Sequence, residues 1–501
     1  METLAKINQG VTRDRPPPRQ TVRQKQAQGV DFRMAETYEL VVLGGGTGGY
    51  STALFAANLG LEVALVEQDK VGGTCLHWGC IPTKALLQAA EVAEHAQHAQ
   101  EYGVKASYEA IEVAALHEYK QTVVDANFKG LQATLKGRGI DTISGRGVLR
   151  DANTVVVDTD EGERTITANR ALVLATGSVP RDVPIEGAEV DGETIINSDH
   201  ALYLDRVPER PIVLGAGAIG VEFATVWNAF GADVTVVEML DDVVPNEDVD
   251  TQKALAKLLK RRGMDVQVKT KLVKVERGDG GLRATVENPK GEQSQIESDL
   301  LMVAIGRRPR TEDMGFEDAG VTLERGYVTV DEYCRPGPEK LFAVGDILPL
   351  YTLGLAHSSF QEGLLVARMA AGKDVVPIDY KGVPRVTYCH PEVASVGWNQ
   401  QDLDEQGIEY ETKTYPYSHN ARAMMMKEGG HVKVIAEPDG GRVLGIHIVG
   451  PRATDMISEG QLIYNWEALP MEVGQFVHAH PTLSEAVGEA HLGLVGMGLH
   501  G

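Results

Sequence analysis

Apolar and polar positions along the chain repeat one pattern twice. In each copy a short apolar run breaks at three glycines, continues as an alanine- and valine-rich stretch, and closes on a second apolar run that ends in glutamate. The first copy contains Gly44, Gly46, Gly49 and Glu67, and the second contains Gly215, Gly217, Gly220 and Glu238. This succession predicts strand, tight turn, helix and strand, two times over.

The spacing of the two copies points to dinucleotide binding. In both, 23 positions separate the first glycine from the glutamate. The first glycine permits the turn, the second lets a pyrophosphate approach the backbone, and the third lets the helix pack on the strand. The pyrophosphate then lies at the positive end of the helix, and the glutamate accepts hydrogen bonds from a ribose. The sequence therefore predicts two dinucleotide sites.

One of the two dinucleotides should be NAD rather than NADP. After Glu238 the chain reads MLDD, which places Asp241 and Asp242 nearby and no lysine or arginine. A 2′-phosphate needs a basic partner at this point, and two further carboxylates would repel it.

Length and charge exclude several classes of protein. A chain of 501 residues predicts about three domains, and a net charge of -23 argues against binding nucleic acid or an anionic membrane. The chain has no apolar run of the roughly 18 residues that a membrane helix needs. Only 4 cysteines are present, which indicates a cytoplasmic protein rather than a disulfide-rich secreted one. Cys334 and Cys389 are isolated and predict buried core positions.

The first 35 residues differ from the rest. They are polar and proline-rich, carry an excess of basic groups and show no hydrophobic period. We expect a disordered tail or a mis-assigned start, with Met34 as an alternative first residue, and no secretory signal.

The segment VGGTCLHWGCIPTK places Cys75 and Cys80 five residues apart. In a regular helix that spacing separates them by about 7.5 Å along the axis and about 140° around it, beyond the reach of a disulfide. The segment should therefore be a turn or a distorted first turn, with Pro82 near the start of the following helix. A metal site using His77, a structural crosslink, two buried cysteines and a redox pair remain open on this evidence. No second ligand pair supports the metal.

Three features together resemble one protein family. The segment GGTCLHWGCIPTK, the two glycine units and the C-terminal HAHPTLSEA are similar to the flavin-dependent pyridine nucleotide–disulfide oxidoreductases, over residues 38 to about 490. The likeness is strongest to the branch that oxidises dihydrolipoamide. It implies an α/β fold of two Rossmann-like dinucleotide-binding domains and a C-terminal α+β dimerisation domain. The implied boundaries are 36–182 and 304–375 for FAD, 183–303 for NAD and 376–501 for the interface domain, after the tail at 1–35.

The resemblance also assigns cofactors and residues. It gives FAD to the first glycine unit and NAD to the second, and Cys75 and Cys80 become a redox disulfide beside the flavin. It places Lys84 near the flavin, paired with Glu222, and it lets Asp346 hold the ribityl chain. Further cofactor-binding positions are Thr176, Gly177, Gly345 and Gly306. No metal is implied.

The C-terminal motif supplies the base that thiol exchange requires. Exchange runs through thiolate, and a histidine titrates in the right range to produce one. The resemblance implies that His480 is this base, that Glu485 orients it, and that it serves the other subunit of a homodimer. TLSE also reads as a capping box, with Thr482 as the cap and Glu485 three residues on, so a local role for Glu485 at its own helix start remains open beside the catalytic one. His478 is expected to have a packing role.

The implied reaction oxidises protein-bound dihydrolipoamide and reduces NAD. The implied partners are lipoyl domains of a 2-oxoacid dehydrogenase complex or of a glycine cleavage system. His77 and Trp78 depart from the residues that many relatives carry between the cysteines, so they bear on redox potential and access. A reductase of another low-molecular-weight disulfide and a non-catalytic flavoprotein are the alternatives. A mercuric reductase would need a C-terminal cysteine pair, and a glutathione reductase would need a basic site for NADPH.

Overall fold

The first part of the chain builds a mixed sheet whose central, parallel strands are buried on both faces. The computed structural model describes residues 36–278 and 280–500, so the predicted N-terminal tail lies outside the described residues. The elements up to residue 180 are β1 (Glu36–Leu43), α1 (Thr47–Asn58), β2 (Val63–Glu67), a π-helical turn (Thr74–Trp78), α2 (Cys80–His98), a 3₁₀ turn (Ala99–Tyr102), α3 (Val113–Gly137), β3 (Asp141–Ser144), β4 (Arg146–Asp151), β5 (Thr154–Thr159), β6 (Gly162–Leu174) and β7 (Ser178–Pro180).

This first sheet has the order β3-β2-β1-β6-β5-β4. Strands β3, β2, β1 and the second half of β6 run parallel, while β4, β5 and β6 form an antiparallel meander. Leu40, Val41 and Val42 have no exposed surface, as expected for a parallel strand covered by other layers on both faces. The continuous apolar runs of the sequence are therefore central strands.

A second parallel sheet follows in the next part of the chain. Its order is β11-β10-β9-β15-β8, and an antiparallel sheet of β12, β13 and β14 lies beside it. The elements are β8 (Ile195–Asn197), α4 (Ser198–Ala201), β9 (Pro211–Leu214), α5 (Ala218–Ala229), β10 (Thr235–Val237), α6 (Val249–Arg261), β11 (Asp265–Gln267), β12 (Lys271–Gly278), β13 (Gly281–Glu287), β14 (Gln293–Ser298), β15 (Leu300–Val303) and β16 (Arg307–Pro309).

The chain then returns to the first sheet. Strand β16 pairs with β7, and β19 pairs with β6. The elements of this return are β17 (Leu323–Glu324), β18 (Tyr327–Val328), β19 (Leu341–Ala343), a 3₁₀ turn (Leu350–Thr352) and α7 (Ala356–Ala370). Helix α7 packs closely on α1, because a Cβ on Gly363 would lie 2.7 Å from Ser51 Oγ. Residues beyond 304 thus complete the layer structure that residues 36–180 began.

The last part of the chain is an antiparallel sheet with helices against it. The sheet order is β20-β21-β24-β23-β22. The elements are a 3₁₀ turn (Tyr380–Gly382), β20 (Arg385–Thr387), β21 (Glu392–Gly397), α8 (Gln400–Gln406), β22 (Glu411–Pro416), a 3₁₀ turn (Tyr417–His419), α9 (Ala421–Met426), β23 (His431–Ala436), a 3₁₀ turn (Pro438–Gly440), β24 (Val443–Gly450), α10 (Ala453–Asn465), α11 (Pro470–Gly474) and α12 (Glu485–Leu494).

The predicted fold class is confirmed by this arrangement of two Rossmann-like sheets and a C-terminal antiparallel sheet. Cys334 and Cys389 are buried, as predicted. Over residues 36–278 and 280–500 no helix has both the length and the apolar character needed to cross a membrane.

Candidate functional site

The two glycine turns have the same geometry. Gly44 and Gly215 have φ of +107° and +103°, and Gly46 and Gly217 precede the first residues of α1 and α5. A Cβ on Gly49 would lie 1.8 Å from Gly44 O. On Gly220 it would lie 1.9 Å from Gly215 O. A Cβ on Gly46 or Gly217 would meet nothing within 4 Å. Each turn therefore has two glycines that the protein's own backbone requires and one that faces open space at a helix N-terminus.

The open position is where a pyrophosphate fits. The first turn of a helix offers unpaired N–H groups and the positive end of its dipole to an anion. An alanine in place of Gly46 or Gly217 would collide with no atom of the protein. Its methyl group would nevertheless occupy the space that the phosphates need. The residues present thus suit one dinucleotide at each turn.

This geometry makes a separable prediction for the second turn. If the second turn binds NAD, as the resemblance implies, we expect Gly217→Ala to fold normally and to raise the KM for NAD about tenfold or more, because the methyl group would obstruct the pyrophosphate. Bound flavin should be unchanged, since the substitution lies in the other glycine unit. Steady-state kinetics and the flavin absorbance per subunit measure the two effects. Gly137→Ala, which also adds a methyl group to open space, is the matched control and should leave both unchanged.

The glutamate after each second strand is held by the turn it faces. Glu67 accepts hydrogen bonds from the Gly45 and Asp69 N–H groups at 2.6 and 2.8 Å. Glu238 accepts from the Ala216 and Leu240 N–H groups, both at 2.7 Å. These bonds fix both carboxylates beside the glycine turns, where ribose hydroxyls are recognised.

One cavity of about 450 Å³ collects most of the residues predicted for the redox site. Its lining includes Gly44, Gly46, Glu67, Cys75, Cys80, Lys84, Thr176, Gly177, Glu222, Gly345 and Asp346. The first glycine unit and the cysteine pair therefore open onto the same space. The second glycine unit, with Gly215, Gly217, Gly220 and Glu238, and also Gly49, Gly306, His480 and Glu485, do not appear in the lining.

The cysteine segment is an irregular turn followed by a helix. A single π-helical turn covers Thr74–Trp78, Gly79 lies between, and α2 begins at Cys80. This agrees with the prediction that the two cysteines cannot share a regular helix. Both are free thiols in the structure. Cys80 is the first helical residue, where the dipole stabilises a thiolate by about 0.3–1 kcal/mol.

The surroundings shift the pKa values of the two thiols in opposite directions. A hydrogen bond from the Cys75 thiol lowers the pKa of Cys80, burial opposes this effect, and the Lys84 ammonium adds to it. The same hydrogen bond, followed by burial, raises the pKa of Cys75. These shifts favour the thiolate at Cys80 and the thiol at Cys75 in the reduced pair, and the Lys84 ammonium adds to the effect of the helix end.

Lys84 lies one helical turn after Cys80 and pairs with a residue from another region. Its Nζ donates to both oxygens of Glu222, each at 2.8 Å. Burial tends to lower the pKa of Lys84, but the Glu222 carboxylate outweighs it, so the net shift is upward. The ammonium stays charged beside the thiols.

Asp346 follows strand β19 and lines the cavity. A short chain of hydrogen bonds leads to its carboxylate. Ser178 Oγ donates to Asp346 at 2.5 Å, and Arg307 Nε donates to Ser178 Oγ at 2.8 Å. Burial raises the pKa of Asp346, and Ser178 and Arg307 oppose that shift. Behind it, Glu362 accepts from the Gly345 N–H at 2.6 Å, and burial raises the pKa of Glu362 to about 7. Ser178, Arg307 and Glu362 were not among the predicted residues, because their approach depends on strand pairing.

The two unusual residues between the cysteines have different surroundings. His77 is buried, bonds Val71 O at 3.0 Å and packs edge-on against Phe128. Trp78 lines the cavity and keeps 39% of its surface exposed. Its ring meets Tyr203 at 5.5 Å. Both residues line the cavity, Trp78 with an exposed ring and His77 with a buried ring that is hydrogen-bonded to the backbone at Val71.

The wall behind Trp78 contains a buried cation. Lys120 Nζ lies 3.8 Å from the centre of the Tyr203 ring, donates to Leu202 O and lies 3.2 Å from His117 Nδ1. Burial lowers the pKa of Lys120 to about 8. Lys120 of α3 therefore contacts the same Tyr203 ring that Trp78 contacts.

The C-terminal motif forms a histidine–glutamate pair. His480 Nδ1 lies 2.8 Å from Glu485 Oε1, and the side chain of His480 is 75% exposed. Glu485 also accepts from the Thr482 N–H at 2.7 Å. His478 is less exposed and bonds Glu459 at 2.7 Å. His480 therefore has an oriented ring and a free second nitrogen, Nε2, at the surface of its own subunit.

The capping-box interpretation of TLSE holds for one of its two bonds. Helix α12 begins at Glu485 with Ser484 before it, and Glu485 accepts from the Thr482 N–H, but the Thr482 side chain does not cap the helix. The Thr482 hydroxyl instead donates to Ala479 O at 2.6 Å. The carboxylate of Glu485 is therefore shared between the Thr482 N–H and the His480 ring.

A basic residue approaches the acidic stretch after Glu238. Lys269 Nζ lies 3.6 Å from Asp241, although it is distant in sequence and could not be expected there. The pair is exposed to solvent, and it places one basic group beside the acidic stretch MLDD, which has no lysine or arginine of its own.

Family models and similar proteins found by sequence comparison point to the same family. The family model described as pyridine nucleotide-disulphide oxidoreductase matches residues 38–363, and the dimerisation domain of the same family matches residues 383–491. The dihydrolipoyl dehydrogenase of Bacillus subtilis is 37% identical over 93% of this chain and 100% of that protein. The leghemoglobin reductase of Glycine max is 37% identical over 90% of this chain and 86% of its own length.

Solved structures show the same architecture. LpdA from Mycobacterium tuberculosis superposes with a TM-score of 0.83 and 29% identity, covering 92% of this chain and all of that one. The HOCl-induced flavoprotein disulfide reductase RclA from Escherichia coli, in a Cu(II) complex, has a TM-score of 0.78 and 26% identity, covering 91% of this chain and 99% of that one.

Proposed function

The chain belongs to the pyridine nucleotide-disulphide oxidoreductase family and is an enzyme that uses FAD and NAD, and on that premise we propose that it is a dihydrolipoyl dehydrogenase. The observation that supports this proposal is the polarised pair of Cys75 and Cys80 opening onto the cavity of the first glycine unit. The oriented His480–Glu485 pair in the dimerisation domain complements it.

The residues around the cavity suit FAD. Gly46 leaves room for a pyrophosphate, Glu67 lies beside it for a ribose, and Asp346 offers a buried acceptor for hydroxyl groups. Held there by these residues, FAD would supply the two-electron redox chemistry that links the dithiol to NAD. NAD would be held by the second glycine unit, through Gly217 and Glu238.

The protein's own groups carry the thiol chemistry. In the oxidised enzyme a Cys75–Cys80 disulfide receives a substrate thiolate at the Cys75 sulfur, and the electron pair of the broken S–S bond goes to Cys80. The second substrate thiol then displaces Cys75, which closes the lipoyl ring and leaves both cysteines reduced. Two electrons and two protons leave the substrate. Lys84 keeps Cys80 as a thiolate through this step.

His480 would take the proton of the attacking thiol through Nε2, since Nδ1 is held by Glu485. Because His480 does not line the cavity of its own subunit, we propose that it acts on the dithiol of a second copy. Apolar groups on the same domain support a homodimer: Phe476 and Val477 are 69% and 98% exposed in the single chain. A two-fold pairing would cover both copies of such a surface.

Lipoyl domains of a 2-oxoacid dehydrogenase complex or of the glycine cleavage system are the proposed partners, and the cytoplasm the proposed location. They follow from the names of the relatives, such as the Bacillus subtilis enzyme, and from the sparse cysteines.

A second candidate is the reduction of another low-molecular-weight disulfide. It is favoured by the similarity to the disulfide reductase RclA and by Trp78 in the cavity wall.

A comparison of substrates decides between these two activities. We expect the flavoprotein to reduce NAD with dihydrolipoamide at a kcat/KM at least about 10³-fold above that for glutathione disulfide or mycothiol-like disulfides with NADPH. The magnitude is that of a site built for one substrate. The same preparation measured with NADPH and lipoamide separates nucleotide preference from disulfide preference. A higher kcat/KM with one of the other disulfides would replace the proposed substrate and leave the family unchanged.

A further inference from the structure

A short loop of the dimerisation domain crosses the helix that carries Glu222. It joins β20 to β21 and consists of residues 388–391. The Tyr388 N–H donates to Glu222 Oε1 at 2.9 Å, and the His390 N–H donates to Thr225 Oγ1 at 3.2 Å. Glu222 and Thr225 are neighbours on one face of α5. Two backbone N–H groups of the loop thus donate hydrogen bonds to side chains on that face of α5.

The side chain of Tyr388 meets the other half of the ion pair. Lys84 Nζ lies 4.8 Å from the centre of the Tyr388 ring. An ammonium over an aromatic face is attracted by the ring's negative surface. Lys84 is therefore held from two directions, by the Glu222 carboxylate and by the Tyr388 ring. A lysine stem is long and flexible, so a second contact limits where the charge can lie.

The loop itself is anchored on both sides. His390 Nδ1 lies 2.6 Å from Glu94 Oε2, and its Nε2 lies 2.7 Å from Glu428 Oε1. Glu94 belongs to α2, the helix that also carries Cys80 and Lys84. Cys389 is buried and its thiol donates to Pro391 O at 3.1 Å. These contacts fix the backbone at Tyr388, so the ring can leave Lys84 only by rotation of its own side chain.

We propose that Tyr388 is a positioning residue of the redox site, which holds the Lys84 ammonium against Glu222 and near the Cys80 sulfur. The contact comes from the dimerisation domain, whereas Lys84 and Cys80 belong to the helix beside the first sheet. The docking of one domain on another therefore sets where the charge beside the dithiol lies. This inference goes beyond the proposed function, because it concerns the dithiol and holds for any thiol substrate.

The test measures the thiolate directly. Because Lys84 lowers the pKa of Cys80, a looser Lys84 leaves less thiolate at neutral pH. We expect Tyr388→Leu to move the alkylation profile of Cys80 by iodoacetamide to higher pH, with the rate at pH 7 reduced about three- to tenfold. The assay uses the holoenzyme reduced with dithiothreitol, and mass spectrometry assigns the alkylated cysteine. Besides Lys84, the titratable groups that interact with the sulfurs of Cys75 and Cys80 are Glu222, Asp346 and Tyr50, and none of them is substituted.

Three variants make the result specific. Tyr388→Phe keeps the ring and should behave like the wild type, while Tyr388→Met, an unbranched apolar replacement, should repeat the shift if Tyr388→Leu is unstable. Tyr102→Leu is the matched control, because it removes a ring 5.1 Å from Lys427 at a different surface. An unchanged alkylation profile in the Leu or Met variant, or an equal shift in Tyr388→Phe, would overturn the inference.

The same experiment is independent of the substrate. If the wild-type protein fails to oxidise dihydrolipoamide, the proposed function is wrong, yet alkylation of Cys80 still reports on Tyr388. If turnover is present and the profile of Tyr388→Leu is unchanged, the proposed function stands and the positioning role is wrong.

Discussion

Cys75→Ser and Cys80→Ser are each expected to lower dihydrolipoamide-dependent NAD reduction by at least about 10³-fold, in the range seen when a covalent catalytic group is removed. A single remaining thiol forms no internal disulfide, so two electrons have no carrier between substrate and flavin. Flavin binding should persist in both variants, since the glycine turn and Asp346, which are proposed to bind the flavin, are unchanged. Absorbance of the purified protein and steady-state rates measure the two properties.

The two serine variants should differ in one respect. Cys75→Ser retains a hydroxyl that donates a hydrogen bond to Cys80, so the remaining thiolate keeps much of its stabilisation from its neighbours. Cys80→Ser leaves Cys75, whose thiol is the protonated member of the pair. Alkylation at pH 7 should therefore be faster in Cys75→Ser. Cys334→Ala, a buried cysteine elsewhere, controls for the loss of a thiol. Substantial turnover in either serine variant would contradict the dithiol mechanism.

His480→Ala should lower the same activity by about 10²- to 10⁴-fold, the contribution of a general base. Glu485→Gln keeps the length of the side chain and should cost less, about tenfold, because it weakens the orientation of the ring without removing it. NADH-dependent reduction of an artificial dye needs no thiol substrate and should be nearly unaffected in both variants. A large loss of dye reduction would indicate a structural defect instead.

A mixed dimer locates the base. When a Cys75→Ser subunit pairs with a His480→Ala subunit, a base that serves the other subunit leaves one site with both defects and one with neither. We then expect about half of the wild-type activity from two nearly inactive parents. A base that serves its own subunit leaves both sites defective, and no activity returns. Two different affinity tags on co-expressed subunits isolate the mixed species.

Some of this site was predictable because local chemistry dictates it. The turn at Gly44 needs a positive φ, and a Cβ on Gly49 would meet the backbone of Gly44. Such constraints act within a few residues, so the glycine spacing alone predicts the strand, turn and helix. The irregular turn between Cys75 and Cys80 follows from helix geometry in the same way.

Other parts depend on segments that are distant along the chain. Lys84 and Glu222 are 138 residues apart, and Tyr388 is 166 residues beyond Glu222. No periodicity links such positions, because they meet only when α2, α5 and the loop after β20 pack together. The relay from Arg307 through Ser178 to Asp346 depends likewise on the pairing of β7 with β16.

The sequence by itself thus determined the two dinucleotide-binding units, the cysteine turn and the presence of a histidine–glutamate motif, since each rests on short-range sterics and hydrogen bonding. Only the tertiary structure decided which thiol its surroundings favour as the thiolate, what holds Lys84, and that His480 lies away from the cavity of its own subunit. Charges and ring faces act over a few ångströms in space, whatever their separation in the chain. Trp78 illustrates the difference: its place between the cysteines is read from the sequence, but its contact with Tyr203 exists only in the folded protein.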